Sequence, residues 1–419
     1  MKIKKIKNNK LKKDKVINLI IMLKNKKQSN IVKSKINKSG KYPVITQEVK
    51  FISGYSSEKK PIIATKDNPY IVFGDHSVTK KLITFPFLTG ADGTQVFTGN
   101  DKVYTNFLYY SILRNGFINQ EGYKRHFSIL KEKELIYPVE LKEQEKIAQV
   151  LSQQKEQVNN IQKLIEKLEK RNQYYAERLL SGELRVREDE EGNVEFYENK
   201  EWVNVKLNHY LKKEDFKMPI DWVVKKVNSE TDFIKGTSIN SSLFNFEGKG
   251  QQFLRTGDIW EEASSSKEPA FFDGKVDKKF IKNNEDYLSC FEGYNTKIGK
   301  GTIGLITNNL SGIVSSHLYK TKNKNILGKY YSVSLLRLNY IQNLILRQGV
   351  GSTVLSSTKS LKNLEYIYPQ NNSEKELIEN VLNKLYKEVE ELKLTIPKEK
   401  KRFEWLSDAL LSGEYQIVD

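Results

Sequence analysis

The five residues LLSGE stand at Leu179 to Glu183, within YYAERLLSGEL, and stand again at Leu410 to Glu414, within LSDALLSGEY, 231 residues further on. Sliding the chain over itself by that interval extends the match. Tyr137 to Glu183 and Tyr368 to Glu414 agree without a gap at 17 of 47 positions, where random pairing gives about three. The shared residues include both Tyr-Pro pairs, Glu143/Glu374, Glu145/Glu376, Val150-Leu151/Val381-Leu382 and Lys170-Arg171/Lys401-Arg402. The chain is therefore organised by an internal duplication.

Each copy carries a helical pattern. Ile147, Leu151, Gln154, Val158, Ile161, Ile165, Leu168, Asn172, Tyr175 and Leu179 follow spacings that alternate four and three. Ile378, Leu382, Leu385, Val389, Leu392, Ile396, Glu399, Phe403, Leu406 and Leu410 repeat them, with Glu399 as the polar interruption. A heptad sustained this long predicts two long helices, each burying a narrow stripe against a partner helix. Gly182 and Gly413 can take the left-handed conformation that stops a helix, so LLSGE reads as a terminus used twice. Pro397 lacks the donor for the carbonyl of Lys393, which predicts a kink or short break there. Two such helices in one chain pair most simply as an antiparallel coiled coil, with parallel pairing also open. About 37 helical residues at 1.5 Å each span on the order of 55 Å.

At 419 residues, 38% of them apolar and 29% charged, the chain is long enough for two or more soluble domains. The longest aliphatic run, Val16 to Leu23, is broken by Asn18 and falls far short of the roughly 20 residues of a bilayer span. No cleavage site follows it, so neither a membrane segment nor a secretory signal is expected. The lone Cys290 fits a reducing cytoplasm. A formal net charge of +18 favours a polyanion, nucleic acid first, although a solvated surface carries charge as well.

The segments before the helices differ from them. Residues 40–140 and 218–370 contain short runs such as KYPVITQ, NPYIVFGD, KLITFPFL, WVVKKV, GTIGLI and SSHLYK, which read as short strands in two mixed domains. Gly192-Asn193, inside LRVREDEEGNVEFYENKEWVNVKL, predicts a hairpin connector. The order is globule, helix, connector, globule, helix.

This order, with KEQEKIAQVL and SEKELIENVL after Tyr-Pro, the LLSGE ends and RVREDEEGNVEFYEN at 185–199, resembles the specificity subunit of Type I restriction-modification enzymes. KYPVITQ, YIVFGDH, FPFLTGADGT and GYKRHF in the first globule are similar to one group of that family's target recognition domains. FLRTGDI, GKGTIG, GVGSTVLSS and SLKNLEYIYP in the second are similar to another group. The resemblance implies an α+β chain of two mixed α/β target recognition domains, separated by two long helices in an antiparallel coiled coil with a pseudo-two-fold internal repeat. Its boundaries would be 1–141 for the first domain, 142–183 for the first helix and 184–217 for the connector. The second domain would be 218–371, the second helix 372–414 and the tail 415–419.

The resemblance further implies a cytoplasmic, non-catalytic subunit that reads one half of a split asymmetric sequence in double-stranded DNA with each domain. The helices would fix the spacer and dock two modification subunits. S-adenosylmethionine and ATP would sit on partner subunits and no cofactor on this chain, with restriction subunits as further partners of the complex. The start departs from the pattern: the second domain opens on MPIDWVVKKV at 218–227, and subtracting 231 places its counterpart before Met1. MKIKKIKNNKLKKDK stands there instead, either a lysine arm on phosphates or a disordered tail.

Bases are distinguished by Arg, Asn, Gln and apolar contacts, while Lys, Ser, Thr and amides hold phosphates. Candidate DNA contacts on that basis are Lys41, Gln47, Asp75, His76, Lys124, Arg125 and His126 in the first domain. The second offers Arg255, Thr256, Lys297, Lys300, Ser315, Ser316, His317, Ser352 and Thr353. Each of these could equally serve a turn or a solvated face. Gly299 to Gly304 spells G-x-G-x-x-G but lacks the strand-turn-helix context of a nucleotide cradle. Asp67-Asn68-Pro69-Tyr70 lacks the second proline of an adenine-methylase tetrad. His76, His126, His209 and His317 are scattered and form no metal set. Two rivals stand beside the DNA reader: a coiled-coil scaffold that binds only protein, and a standalone adenine methyltransferase.

Overall fold

Both long helices form, and both stop at their glycines. The computed structural model describes residues 2–5, 11–24, 26–90, 93–114, 116–120, 122, 124–209, 212–255, 268–283, 287–289, 292–294, 311–323, 328–338, 354–356 and 365–418. Among these, α1 is Thr105–Leu113, α2 His126–Glu132, α3 Leu141–Leu180, α4 Val227–Glu230, α5 Lys329–Arg337 and α6 Asn372–Leu411. After α3 and α6 the chain turns at Gly182 (φ 73°) and Gly413 (φ 77°). A side chain would be strained there and would also collide, with the Pro219 ring at the first glycine and with Leu11 at the second. Contrary to the expected break, α6 continues through Pro397. Of the predicted strands, those at Tyr42–Ile45, Tyr70–Gly74, Lys80–Ile83 and Trp222–Lys226 appear; GTIGLI and GKGTIG lie outside the described residues.

Two compact units make up the chain: Met1–Lys163 with Leu394–Asp419, and Leu164–Lys393. Both boundaries fall inside a long helix, so each unit holds a stretch of α3 and a stretch of α6. In unit 1 Ile147, Ala148 and Leu151 share a core with Leu406, Leu410 and Leu411. Gln154 donates to the Glu399 carboxylate at 2.6 Å, so two of the three polar interruptions of the apolar seams satisfy each other. In unit 2 Ala176, Leu179 and Leu180 pack with Leu377, Ile378 and Leu382. Asn172 donates to the Leu385 carbonyl at 2.7 Å, and Glu169 meets Lys393 at 2.7 Å. Rising numbers on α3 meet falling numbers on α6 in both units, so the pairing is antiparallel. Polar groups at seam positions select that register, because any slip strands them against apolar neighbours. Every seam residue named above from Ile147 to Leu410 is buried or half-buried.

Strand pairing repeats from unit to unit. Leu11–Lys15 pairs antiparallel with Glu134–Pro138, Leu11 opposite Pro138. Trp222–Lys226 pairs in the same way with Glu365–Pro369, Trp222 opposite Pro369. The counterpart of the second domain's opening strand is therefore Leu11–Lys15 at an offset of 211, within the chain and not ahead of Met1. Over Lys2–Lys5 and Leu11–Lys15 the lysine-rich start is therefore paired strand and not a loose tail. Lys2–Lys5 pairs antiparallel with the C-terminal strand Tyr415–Val418, matching the Leu184–Glu188 and Val194–Glu198 hairpin of unit 2. Alternating lysines suit an edge strand, whose outer face stays in water. A second hairpin, Trp202–His209 with Lys212–Pro219, belongs to unit 2.

The middle of each unit is a mixed sheet. In unit 1 Asn30–Ile31 and Tyr42–Ile45 both run parallel to Leu88–Gly90. In unit 2 Gln251–Leu254 runs parallel to Gly312–Val314, and Thr237 bridges Ser315 in parallel. Leu254 and Ile45 thus occupy equivalent places. Side chains of the long helices hold the starts of the short ones: in unit 1 the buried Gln144 accepts from the Tyr104 amide ahead of α1 at 2.7 Å, and in unit 2 the half-buried Glu379 accepts from the Tyr330 and Tyr331 amides at the start of α5. Free amides at a helix start favour an acceptor, and a carboxylate most of all.

Candidate nucleic-acid interface

The basic excess is not spread evenly. Residues 1–140 hold 27 Lys and Arg against 11 Asp and Glu, or +16 of the chain's +18. A polyanion is drawn chiefly to that segment.

Within unit 1 the residues singled out from three separate loops come together. Gln47 follows the carboxyl end of strand Tyr42–Ile45, and its Oε1 accepts from the His76 amide at 3.2 Å. The carbonyl of Gln47 accepts from the Ser77 and Thr79 hydroxyls at 2.5 and 2.9 Å. The His76 carbonyl accepts from Gln120 Nε2 at 3.3 Å. Asp75 joins the same turn to α2: its carboxylate accepts from the Phe127 amide at 2.8 Å, and its carbonyl accepts from the His126 amide at 2.9 Å. The turn is tight enough to place Val78 at φ 55°. Gly93 lies against the Gln47 amide group so closely that a Cβ would collide with it.

This frame corrects two expectations. His126 is fully buried, its Nδ1 3.0 Å from the Asp75 carbonyl, and Asp75 is buried with its carboxylate engaged. Both hold the edge together from inside. Gln47 and His76 are half-buried at the edge, and Lys124 and Arg125 are exposed beside it in sequence. Lys41 is exposed as well, its ammonium 5.4 Å from the Tyr42 ring, and belongs to none of these hydrogen bonds.

Unit 2 presents the equivalent edge. Arg255 follows Leu254 at the carboxyl end of its strand, as Thr46 follows Ile45 in unit 1. The Ser315 amide donates to the Leu254 carbonyl at 3.1 Å, and the Thr237 amide to the Val314 carbonyl at 2.8 Å. This brings Arg255, half-buried and bonded to the Glu268 carbonyl at 3.1 Å, next to the turn of Ser315, Ser316 and His317. Ser315 is buried, a third correction, whereas Ser316 is half-buried and His317 exposed. Thr256, Lys297, Lys300, Ser352 and Thr353 lie outside the described residues. In both units the candidates collect beyond the carboxyl ends of parallel strands, where backbone diverges and leaves room for a ligand.

Sequence reasoning passed over Lys81, the residue that shapes the unit 1 edge. It is 4% exposed and donates to the carbonyls of Thr46, Lys50 and Phe51 at 2.9, 2.6 and 3.3 Å. The available signal was parity: in Lys80–Ile83 the inward positions are Lys81 and Ile83. Burial lowers its pKa to about 8, with Glu48 opposing. Between about 8 and the ordinary lysine value the unfolded chain holds a proton that the folded unit has lost, so folding stability rises with pH there. We expect the wild type to gain stability relative to Lys81→Met from pH 8 to 10 in urea titrations at stepped pH. Parallel slopes would contradict a titrating Lys81.

Among the described residues no His, Cys, Asp and Glu group could hold a metal ion, and no helix is long and apolar enough to cross a membrane. Neither a family model nor a curated protein matches the sequence. Solved structures do. The S subunit of a Type I restriction-modification system from M. genitalium superposes with a TM-score of 0.58 at 16% identity, covering 97% of each chain. This chain has the fold of a Type I S subunit. Two further structures align at 14% identity over 96% of this chain. One concerns complex assembly and conformational transition of the type I R-M system, covering 98% of that chain with a TM-score of 0.43. The other is the HsdS subunit from Thermoanaerobacter tengcongensis, covering 97% of that chain with a TM-score of 0.35; both scores are too low to add weight.

Proposed function

We propose that the chain is the DNA-specificity subunit of a Type I restriction-modification complex and carries out no chemistry itself. Each unit reads one half of a bipartite asymmetric site with the edge beyond its parallel strands. The long helices set the spacer and dock two methyltransferase subunits, which bring S-adenosylmethionine; ATP belongs to restriction subunits of the complex. The observation that carries this reading is the pairing of equal frames with unequal surfaces. Gln47 and His76 in unit 1 and Arg255, Ser316 and His317 in unit 2 occupy corresponding edges with different hydrogen-bonding groups, as reading two different half-sites requires. Exchanging residues 218–370 for the second domain of another such subunit should change one half of the methylated motif when methyladenine is mapped by sequencing. Alteration of both halves, or of neither, would contradict it.

The duplication also bears on docking. Tyr174 and Trp405, which stand 231 residues apart, are each 54% exposed on α3 and α6. Aromatic rings left in water at corresponding places suit two copies of one partner, and aromatic anchors commonly account for 2 kcal/mol or more, roughly 30-fold in affinity. Tyr174→Ala and Trp405→Ala should each remove one methyltransferase copy from the complex in analytical ultracentrifugation, and the double variant both. Retention of both copies by the double variant would exclude these rings as anchors.

A further inference from the structure

The loop that Lys81 holds carries an exposed apolar side chain with no packing role. Val49 is 89% exposed and Phe51 47%, while Phe51 keeps an edge contact with Phe85 at 6.3 Å between ring centroids. A valine on a solvated loop is ordinary by itself. This loop is not a loose one. Beyond the three bonds from Lys81, Thr46 Oγ1 lies 2.6 Å from Ser53 Oγ and accepts from the Glu48 amide at 3.2 Å. The Ser53 amide returns to the Val44 carbonyl at 3.0 Å, and Ser77 and Thr79 fasten the Gln47 carbonyl. Both ends and the middle are thus pinned, one ammonium is taken out of water to do so, and the product is a β-branched side chain standing clear of the surface.

Its surroundings name the occupant. Val49 stands between Glu48 and Lys50, both exposed, residues 1–140 bear +16, and Gln47 links the loop directly to His76 at the edge proposed to read DNA. An apolar group offered beside hydrogen-bonding groups on a basic unit matches the DNA major groove, where the apolar feature that distinguishes bases is the thymine 5-methyl. A rigid mount matters because one methyl contact counts only if the loop need not be ordered on binding. We propose that Val49 reads a thymine methyl in the half-site of unit 1, with Lys81 as the residue that positions it. This rests on the specificity-subunit reading and deepens it.

The test uses the full chain assembled with its methyltransferase subunits and a duplex carrying the mapped motif, with deoxyuridine replacing thymidine one position at a time. Deoxyuridine lacks only the methyl. At one position in the unit 1 half-site, wild type should lose roughly fourfold in affinity, the value of one buried methyl. Val49→Ala should bind the unmodified duplex roughly fourfold more weakly and no longer distinguish thymidine from deoxyuridine there, with the other half-site unaffected. Val49→Thr, which keeps the shape, should lose part of the discrimination. Lys81→Met should weaken discrimination at that position and at its neighbours, because the whole loop is released. A unit 1 half-site without thymine, indifference of wild type to every deoxyuridine, or undiminished methyl discrimination by Val49→Ala overturns the proposal. Those results leave bipartite recognition intact; absence of bipartite binding altogether would instead defeat the specificity-subunit reading.

Discussion

Replacing Arg185 by methionine should destabilise unit 2 by roughly 3–5 kcal/mol, the usual cost of removing one partner from a buried ion pair. Arg185 and Glu374 are 7% and 6% exposed, and the guanidinium grips the carboxylate through two bonds of 2.5 and 2.7 Å. Asp221 accepts two more at 3.0 and 2.7 Å, but it is 55% exposed and contributes less. The Trp222 and Tyr197 rings lie 5.6 and 5.8 Å from the guanidinium carbon. Take the arginine away and the Glu374 side chain remains buried without its ion-pair partner, in the first turn of α6. For a unit of this size the loss corresponds to about 10 °C in melting temperature, measurable by calorimetry of the variant. The double variant Arg185→Met/Glu374→Leu should recover much of it, since apolar replacement of both partners is commonly neutral or better. A single variant that melts with the wild type would show that the pair contributes nothing.

The same contact has a pH signature. Hydrogen bonding to Arg185 holds the Asp221 carboxyl below its ordinary value despite partial burial. Stability from it is therefore complete above the ordinary carboxylate range and fades as the pH falls through the lowered value.

DNA affinity should fall steeply with salt. A reader that touches 6–10 phosphates loses about 10³–10⁵ in affinity between 50 and 200 mM salt, with a logarithmic slope near −0.9 per phosphate. Because the excess charge lies in residues 1–140, the slope should belong mainly to unit 1. Lys50, Lys124 and Arg125 are exposed at or near the proposed edge; glutamine at all three should flatten the slope by up to about three. Glutamine at Lys163, Lys167 and Lys170, exposed on α3, should leave it unchanged. Fluorescence anisotropy of a labelled random duplex across a salt series measures both. Equal slopes for the two triple variants would place the phosphate contacts elsewhere.

Local regularities made much of this molecule readable from its residues. The heptads of Ile147 to Leu179 and Ile378 to Leu410 give two helices because spacing alone decides which side chains share a face. Gly182 and Gly413 end them because a left-handed turn excludes side chains. The shared words around Tyr-Pro and LLSGE mark the duplication, and Gln47, His76, Lys124 and Arg125 could be nominated from their chemistry.

What the residues left open were matters of partnership. Antiparallel pairing became definite only where Gln154 met Glu399 and Asn172 met the Leu385 carbonyl, contacts between groups more than 200 residues apart. The lysine-rich start became two strands because distant segments, Tyr415–Val418 and Glu134–Pro138, offered backbone partners; propensity judged along the chain cannot see them. His126 and Asp75 look like ligands in a list of polar residues and prove to be internal fasteners, while Lys81 looks like surface and lies inside. Burial is a property of what the rest of the chain folds over a residue, so it is decided only when the tertiary structure closes.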